Sequence, residues 1–270
     1  MITYWSQIDV EFSGKCSRFF MLDCEGKDQV VRAVNQYGWK GYEPPLPLLI
    51  ARQSCYRQSY FIDVGANTGY YSLLAACTGA PNVWAFEPVP AIRQIFESNV
   101  LESGLGQKIT ISPQAVGENQ GRFDMYLPDD SHGLIETSAS LNPKFRQKHS
   151  GKVEVEVVTL DDYFVKNNLI ELGRPIFIKV DVESLEPQVL KGCDKLLNDY
   201  RPTLALELLP GTTDTAFFDN FKKNYNYTHY WLNPNNRLDK QESEINLSLS
   251  RRDHLFVPEE QEAVFWKALG

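Results

Sequence analysis

The chain has no run approaching the roughly 18 uninterrupted apolar residues of a membrane span. Its N-terminus, Met1-Ile-Thr-Tyr-Trp-Ser-Gln7, has no basic start followed by an apolar stretch. These two absences lead us to expect a cytoplasmic protein with no membrane span. Cysteine is scarce: Cys16, Cys24, Cys55, Cys77 and Cys193 are odd in number and include no C-x-x-C pair. That excludes a disulfide framework and a structural zinc site, and no His-x-x-x-His or Cys-His cluster replaces them. Positive charge is also short, with 27 Lys and Arg against 35 Asp and Glu for a net charge of -8. A protein that binds by neutralising phosphates needs the opposite sign, so nucleic acid is not the expected partner. The serines form no nucleophile-elbow pattern, which removes serine hydrolysis. What remains is a globular composition, 43% hydrophobic and 12% aromatic over 270 residues, rich enough to offset ordering entropy.

From residue 60 onward, short apolar runs alternate with helical patterns, as in a parallel sheet with crossover helices. The expected strands are 60–64, 83–87, 109–112, 176–181 and 203–208, each apolar enough to be buried on both faces. The expected helices are 68–77, 90–103, 160–168, 187–198 and 213–225. Segments 122–127 and 153–158 read as extra strands around a polar stretch, 128–152, of a length typical of lids and binding loops. Segments 227–232 and 254–258 read as strands with no crossover helix between them, hence antiparallel. Residues 1–57 read as a hairpin (8–12 and 18–22), a helix (28–37) and a further short helix after Pro44-Pro45-Leu46-Pro47. We expect a cover over 1–57 and a catalytic domain over 58–270.

Asp63-Val-Gly-Ala-Asn-Thr-Gly69 leaves the first strand of this alternation and opens a helix. Glycine there permits a tight turn and close approach of a ligand to the backbone. The dinucleotide pattern G-x-G-x-x-G fails, since its second and third glycines would fall on Asn67 and Tyr70. The D-x-G-x-x-x-G pattern instead resembles the first motif of class I S-adenosylmethionine-dependent methyltransferases. That cofactor carries an ammonium and a sulfonium and no phosphate, and Asp63 offers them a carboxylate, directly or through water. The competing reading is structural: Gly65 and Gly69 make a sharp turn and Asp63 caps it. Glu87 closes the second strand, where a carboxylate accepts bonds from both ribose hydroxyls. After the third strand, Gln114 either reads an adenine edge or is a solvated loop residue.

Taken together, the blocks Phe61-Ile-Asp-Val-Gly-Ala-Asn-Thr-Gly-Tyr-Tyr-Ser72, Ala85-Phe-Glu-Pro88, Ala115-Val-Gly117, Val158-Thr-Leu-Asp-Asp162, Ile178-Lys-Val-Asp-Val-Glu183 with Glu186, Val189-Leu-Lys-Gly192 and Arg201-Pro202 resemble the FkbM family of methyltransferases. The resemblance spans about residues 58–210. It departs at Ser184, where the family usually has glycine. It implies an α/β, Rossmann-like, seven-stranded and mostly parallel sheet in the order 3-2-1-4-5-7-6, the last strand antiparallel, with helices on both faces and the N-terminal segment as a small cover. It also implies S-adenosylmethionine as cofactor, S-adenosylhomocysteine as product, and O-methylation of a sugar, glycan or natural-product hydroxyl. The expected cofactor contacts are Asp63, Gly65, Ala66, Asn67, Gly69, Glu87, Pro88, Gln114 and Ala115. Oligomeric state is not readable from the chain.

An alcohol is a poor nucleophile until its proton is withdrawn, and Asp181 and Glu183 lie two apart at the end of the fourth strand. On an extended chain they face one side, and their repulsion raises one apparent pKa toward that of a general base. Asp181 is the expected base, with Glu183 orienting the acceptor or sharing the proton. The competing reading has Glu183 and Glu186 capping the next helix, with Lys179 paired to one of them. A divalent metal on Asp181 and Glu183 is chemically allowed, but nothing in the spacing demands one. His132, in the polar stretch, is either a base brought in by a lid or an exposed loop residue. Tyr70, Tyr71, Trp39, Tyr42 and Trp231 are either acceptor-binding faces or core. Two other functions stay open: N-methylation of an amine or protein, and a non-catalytic S-adenosylmethionine-binding module.

Overall fold

Alternation along the strands decides how the sheet is covered. In β3 (Tyr60–Val64), Tyr60, Ile62 and Val64 belong to one hydrophobic cluster while Phe61 belongs to the other, so both faces of the strand are dry. β4 (Val83–Phe86), β5 (Ile109–Ser112), β9 (Ile176–Val180) and β10 (Thr203–Glu207) complete the parallel part of the sheet. β11 (Tyr227–Asn233) and β13 (Asp253–Pro258) extend it, with β13 antiparallel to both β10 and β11. The structure, a computed structural model, describes residues 4–128, 139–142 and 149–269.

The sheet has eight strands, in the order β5-β4-β3-β9-β10-β13-β11-β12. The first seven follow the order that the family resemblance implies, and the count is one higher than expected. The extra edge strand, β12 (Arg237–Lys240), folds back on β11 through Pro234-Asn235-Asn236, where Asn236 takes the left-handed φ of 60° that asparagine tolerates. A separate three-stranded sheet joins β6 (Ala115–Val116), β7 (Gly121–Pro128) and β8 (His149–Val158) in the order β6-β8-β7.

One face of the main sheet is packed by α3 (Tyr70–Thr78), α4 (Pro90–Glu102) and the N-terminal segment. That segment comprises the hairpin β1 (Trp5–Phe12) and β2 (Lys15–Leu22), then α1 (Gln29–Tyr37) and α2 (Leu46–Tyr56). The hairpin closes on Ser13 and Gly14, both at positive φ, as a two-residue turn requires. Asp28 caps α1 by accepting from the Val30 and Val31 amides at 2.8 and 3.0 Å. Asn99 links three elements, accepting from the Leu22 amide at 2.8 Å and donating to the Thr68 carbonyl at 2.8 Å. The N-terminal segment is thereby tied to the loop after β3. α5 (Glu186–Lys191) and α6 (Thr215–Asn224) cover the opposite face, and α7 (Glu262–Leu269) inserts Phe265 into the first cluster.

Two expected helices are shorter than their sequence pattern. The segment from residue 187 breaks at Gly192, where a Cβ would lie 2.2 Å from the Gly117 carbonyl oxygen, and helical turns resume at Asp194 and run into the wide turn Leu196–Tyr200. Residues 160–168 hold one wide turn, Asp161–Val165. Among the described residues no helix is long and apolar enough to cross a membrane.

Gly69 shows how tightly the first crossover is packed. It has φ +93°, and a Cβ there would lie 2.0 Å from the Phe96 ring. Gly69→Ala should combine left-handed strain with overpacking and cost about 3 kcal/mol. Urea denaturation of the two proteins measures the difference.

Candidate active site

The carboxyl ends of β3, β4 and β9 open onto a cleft of about 920 Å³ that includes open solvent, the position where open α/β sheets bind ligands. Its walls include Gly65, Ala66, Asn67, Glu87, Pro88, Ala115, Asp181 and Glu183, so eight of the residues expected from the sequence meet there. Met125, Ala139 and Leu141 close one side, and Val30, Tyr42, Tyr70 and Tyr71 form an apolar side.

The loop after β3 is shaped by what glycine lacks. Gly65 has φ +79°, and a Cβ would stand 1.9 Å from the Asp181 carbonyl oxygen, so the loop and the end of β9 touch backbone to backbone. The Gly65 and Ala66 amides donate to the Phe86 carbonyl at 3.1 and 3.0 Å, which pulls the loop over β4. Glu87 then bridges the two loops: its Oε2 accepts from the Asn67 amide at 3.0 Å and its Oε1 from the Val89 amide at 2.8 Å. Each oxygen keeps a second lone pair. Burial, only partly opposed by those amides, pushes the Glu87 carboxyl up to about 7.

Asp63 does not line the cleft, so of the two expected routes to the cofactor, direct or through water, the direct contact is not offered by this geometry. Alternation puts it on the face of Phe61, beneath the loop and fully buried, where Oδ2 accepts from the Ser72 hydroxyl at 2.7 Å. Lys179, its cross-strand partner, stands 3.9 Å from Oδ1. Gly69 and Gln114 are also outside the cleft walls. Gly69 shapes the turn, while the Gln114 side-chain oxygen accepts from Ser112 Oγ at 3.0 Å. His132 lies outside the described residues.

Lys179 was not expected to be a site residue. Its ammonium is 3.1 Å from Asp181 Oδ2 and lies over the Tyr71 ring, 5.3 Å from the centroid. The competing structural reading of the sequence pairs it with Glu183 or Glu186. Glu186 instead accepts from the Val182 and Ser184 amides at 3.2 and 3.3 Å, holding the turn after β9. Burial works against the Asp181 carboxylate, but Lys179 and then a hydrogen bond from Glu207 outweigh it and hold the carboxyl below its usual range. The expected mechanism, mutual repulsion between Asp181 and Glu183, is therefore not what tunes Asp181. The strand ends at Val180 and Glu183 takes φ 56°, so the two do not sit on one extended face. The lysine was visible as the one charge inside Ile176-Phe-Ile-Lys-Val180.

Ser184, which stands where the resembled family has glycine, keeps a glycine-like φ of +81° and donates from Oγ to Thr212 Oγ1 at 2.7 Å. Trp231 is outside the cleft walls, against Arg251. Among the described residues no group of three or more His, Cys, Asp or Glu is placed to hold a metal ion.

A family model described as the methyltransferase FkbM domain matches residues 63–229. Methyltransferase 1 of Beauveria bassiana is 26% identical over 176 residues, covering 58% of this chain and 68% of that protein. Methyltransferase sdnD of Sordaria araneosa is 27% identical over 157 residues, covering 50% of this chain and 61% of that protein. The crystal structure of methyltransferase FkbM from Methylobacillus flagellatus aligns at 19% identity and a TM-score of 0.47, over 77% of this chain and 47% of that one.

Two outcomes follow from this geometry. Glu87 carries a folded-state pKa raised from 4.5 to about 7. Its contribution to stability is complete below pH 4.5 and is lost as pH rises through 7, a change of about 3 kcal/mol. Chemical denaturation across that range should therefore give a flatter stability profile for Glu87→Gln than for the wild type. At Ser184, alanine keeps the strained φ and loses the hydroxyl bond. Melting should rank Ser184→Ala lowest, about 1 kcal/mol below the wild type, with Ser184→Gly near the wild type.

Proposed function

Because the chain belongs to the FkbM methyltransferase family, we propose that it transfers the methyl group of S-adenosylmethionine to a hydroxyl of a sugar, glycan or natural-product acceptor. The observation that carries this reading is the Glu87 carboxylate, buried in the cleft wall and held by two backbone amides with lone pairs to spare. A ribose diol presents two hydroxyl donors at a matching separation. The cradle also fits: Gly65 lets the loop close on the backbone of Asp181, which no side chain there would allow, and the missing second and third glycines of the dinucleotide pattern are irrelevant to a ligand without phosphates. When bound, the cofactor supplies a sulfonium-activated methyl group.

The protein's own tasks are alignment and proton removal. Phe86, Val89 and Val116 give the cleft an apolar wall beside Glu87, suited to a planar base. Asp181 faces the same cleft from β9 and stays ionised, so an acceptor hydroxyl can pass its proton to an Asp181 carboxylate oxygen as its oxygen takes the methyl. Tyr42, Tyr70 and Tyr71 offer flat apolar surface for the acceptor and exclude water from the reacting atoms. The net charge of -8 supports a small acceptor over a polyanion.

Calorimetric titration with S-adenosylhomocysteine tests the cofactor half. The wild type should bind, and Glu87→Ala should weaken binding at least about tenfold through loss of the ribose contacts. Equal affinity would remove Glu87 from the site. In a screen of sugars, glycolipids and polyketide alcohols with radiolabelled methyl donor, Asp181→Asn should lower turnover by about 10²–10⁴ without loss of cofactor binding.

A further inference from the structure

Behind the cleft, the strand ends carry a second group of charges that the reaction above leaves unused. Glu207 ends β10 two residues beyond Ala205, the Cα partner of Lys179, and so continues the same face of the sheet. Asp253, at the start of β13, is the cross-strand partner of Glu207. Glu43, Lys179, Asp181, Glu207 and Asp253 together line a cavity of about 240 Å³, and Lys179 and Asp181 belong to the walls of both this cavity and the cleft.

The groups facing Glu207 do not balance. Arg252 stands 3.1 Å from Glu207 and 3.5 Å from Glu43, while Lys179 is committed to Asp181 at 3.1 Å and to Asp63 at 3.9 Å. The Tyr71 hydroxyl donates to Glu43 at 2.7 Å, and Tyr42 closes the same side. Both tyrosines are neutral donors. Carboxylates thus outnumber cations in a largely buried patch, and the cheapest relief is for one of them to keep its proton. Asp181 and Glu207 each have a cation at 3.1 Å, but Lys179 is buried whereas Arg252 is partly exposed, screened by water and shared with Glu43, so Asp181 is the member best able to hold the charge.

We propose that Glu207 is a positioning residue for the methyl transfer, a neutral carboxylic acid that donates a hydrogen bond to Asp181, so that the base meeting the acceptor is a pair sharing one proton. Burial first, and then the Asp181 charge, push the Glu207 carboxyl far above the carboxylate range, while Asp181 is held below its own. The catalytic role assigned to the pair rests on the methyltransferase reading, whereas the shared proton does not. Before transfer the pair carries one proton and one negative charge. As the acceptor oxygen bonds to the methyl carbon, the carbon–sulfur bond breaks with its electrons passing to sulfur, and the acceptor proton joins the pair. The pair is then neutral and returns one proton to water before the next turnover. Glu207 meanwhile fixes one Asp181 oxygen and leaves the carboxylate turned to the cleft.

Isotope-edited infrared spectroscopy on the full chain, with the glutamate carboxyls labelled, reads this directly. At about pH 9, where Glu87 and Glu186 have given up their protons, the wild type should still show the carbonyl band of a protonated glutamate. Glu207→Gln, which keeps the hydrogen-bond donor, should abolish that band. Asp181→Asn removes the neighbouring charge and should make the band titrate away at least about one pH unit lower. No band in the wild type, or a band indifferent to Asp181, would mean that Glu207 is an ordinary carboxylate paired with Arg252 and would overturn the proposal. The Asp181→Asn arm decides the matter even if Glu207→Gln fails to fold. Calorimetry with S-adenosylhomocysteine on the same samples separates the two readings: absent binding defeats the cofactor assignment and leaves the band to speak for the shared proton.

Discussion

One ammonium holds the negative charges of this site in place. Lys179 is 6% exposed and lies between Asp63 on β3 and Asp181 at the end of β9. Taking any of these charges out of water is costly, and removing one member of such a buried set leaves its partners uncompensated at about 3–5 kcal/mol. The arrangement persists because the parallel register makes Asp63 and Lys179 partners, and because period-two alternation brings Asp181 to the face that Lys179 occupies. A structural ion pair at Asp63 and an ionised carboxylate facing the cleft are thus two ends of one interaction.

The second constraint is steric. The loop after β3 meets the backbone of Asp181 at Gly65, and it meets β4 through the Phe86 carbonyl. The same loop offers the Asn67 amide to Glu87. The cleft therefore has the buried Glu87 carboxylate on one strand end and the ionised Asp181 carboxylate on another, with the glycine loop between them. The N-terminal segment contributes by packing rather than by strand pairing. Tyr42 and Glu43 reach the cleft and the cavity behind it, and Asn99 fastens the hairpin to the loop carbonyl of Thr68.

Much of this was legible in the chain. Tyr60-Phe-Ile-Asp-Val64 reads as a buried strand because every position is apolar except the last but one, and Glu87 was identifiable because it closes the next strand. What escaped was whatever depended on which face a strand end presents. Asp63 has the motif's sequence position, but alternation turns it inward to Ser72 and Lys179, and only the register of β3 with β9 reveals that. Asp181 and Glu183 were read as extended neighbours, yet left-handed conformations at Glu183 and Ser184 end the alternation after β9. Glu207 carried a readable signal, an acid ending Thr203-Leu-Ala-Leu-Glu207 much as Asp63 stands last but one in β3 and Glu87 just past β4. Its closeness to Asp181 needs the pairing of β9 with β10. β12 hid in a polar segment whose Asn-Pro-Asn-Asn turn was the available cue.

The most direct test of the central claim is a crystal structure of the chain with S-adenosylhomocysteine bound. The ribose hydroxyls should lie within hydrogen-bonding distance of both Glu87 oxygens, with the nucleoside against Gly65 and Ala66 and the sulfur directed toward Asp181. A nucleoside bound elsewhere, or one in this cleft with its ribose turned away from Glu87, would contradict it.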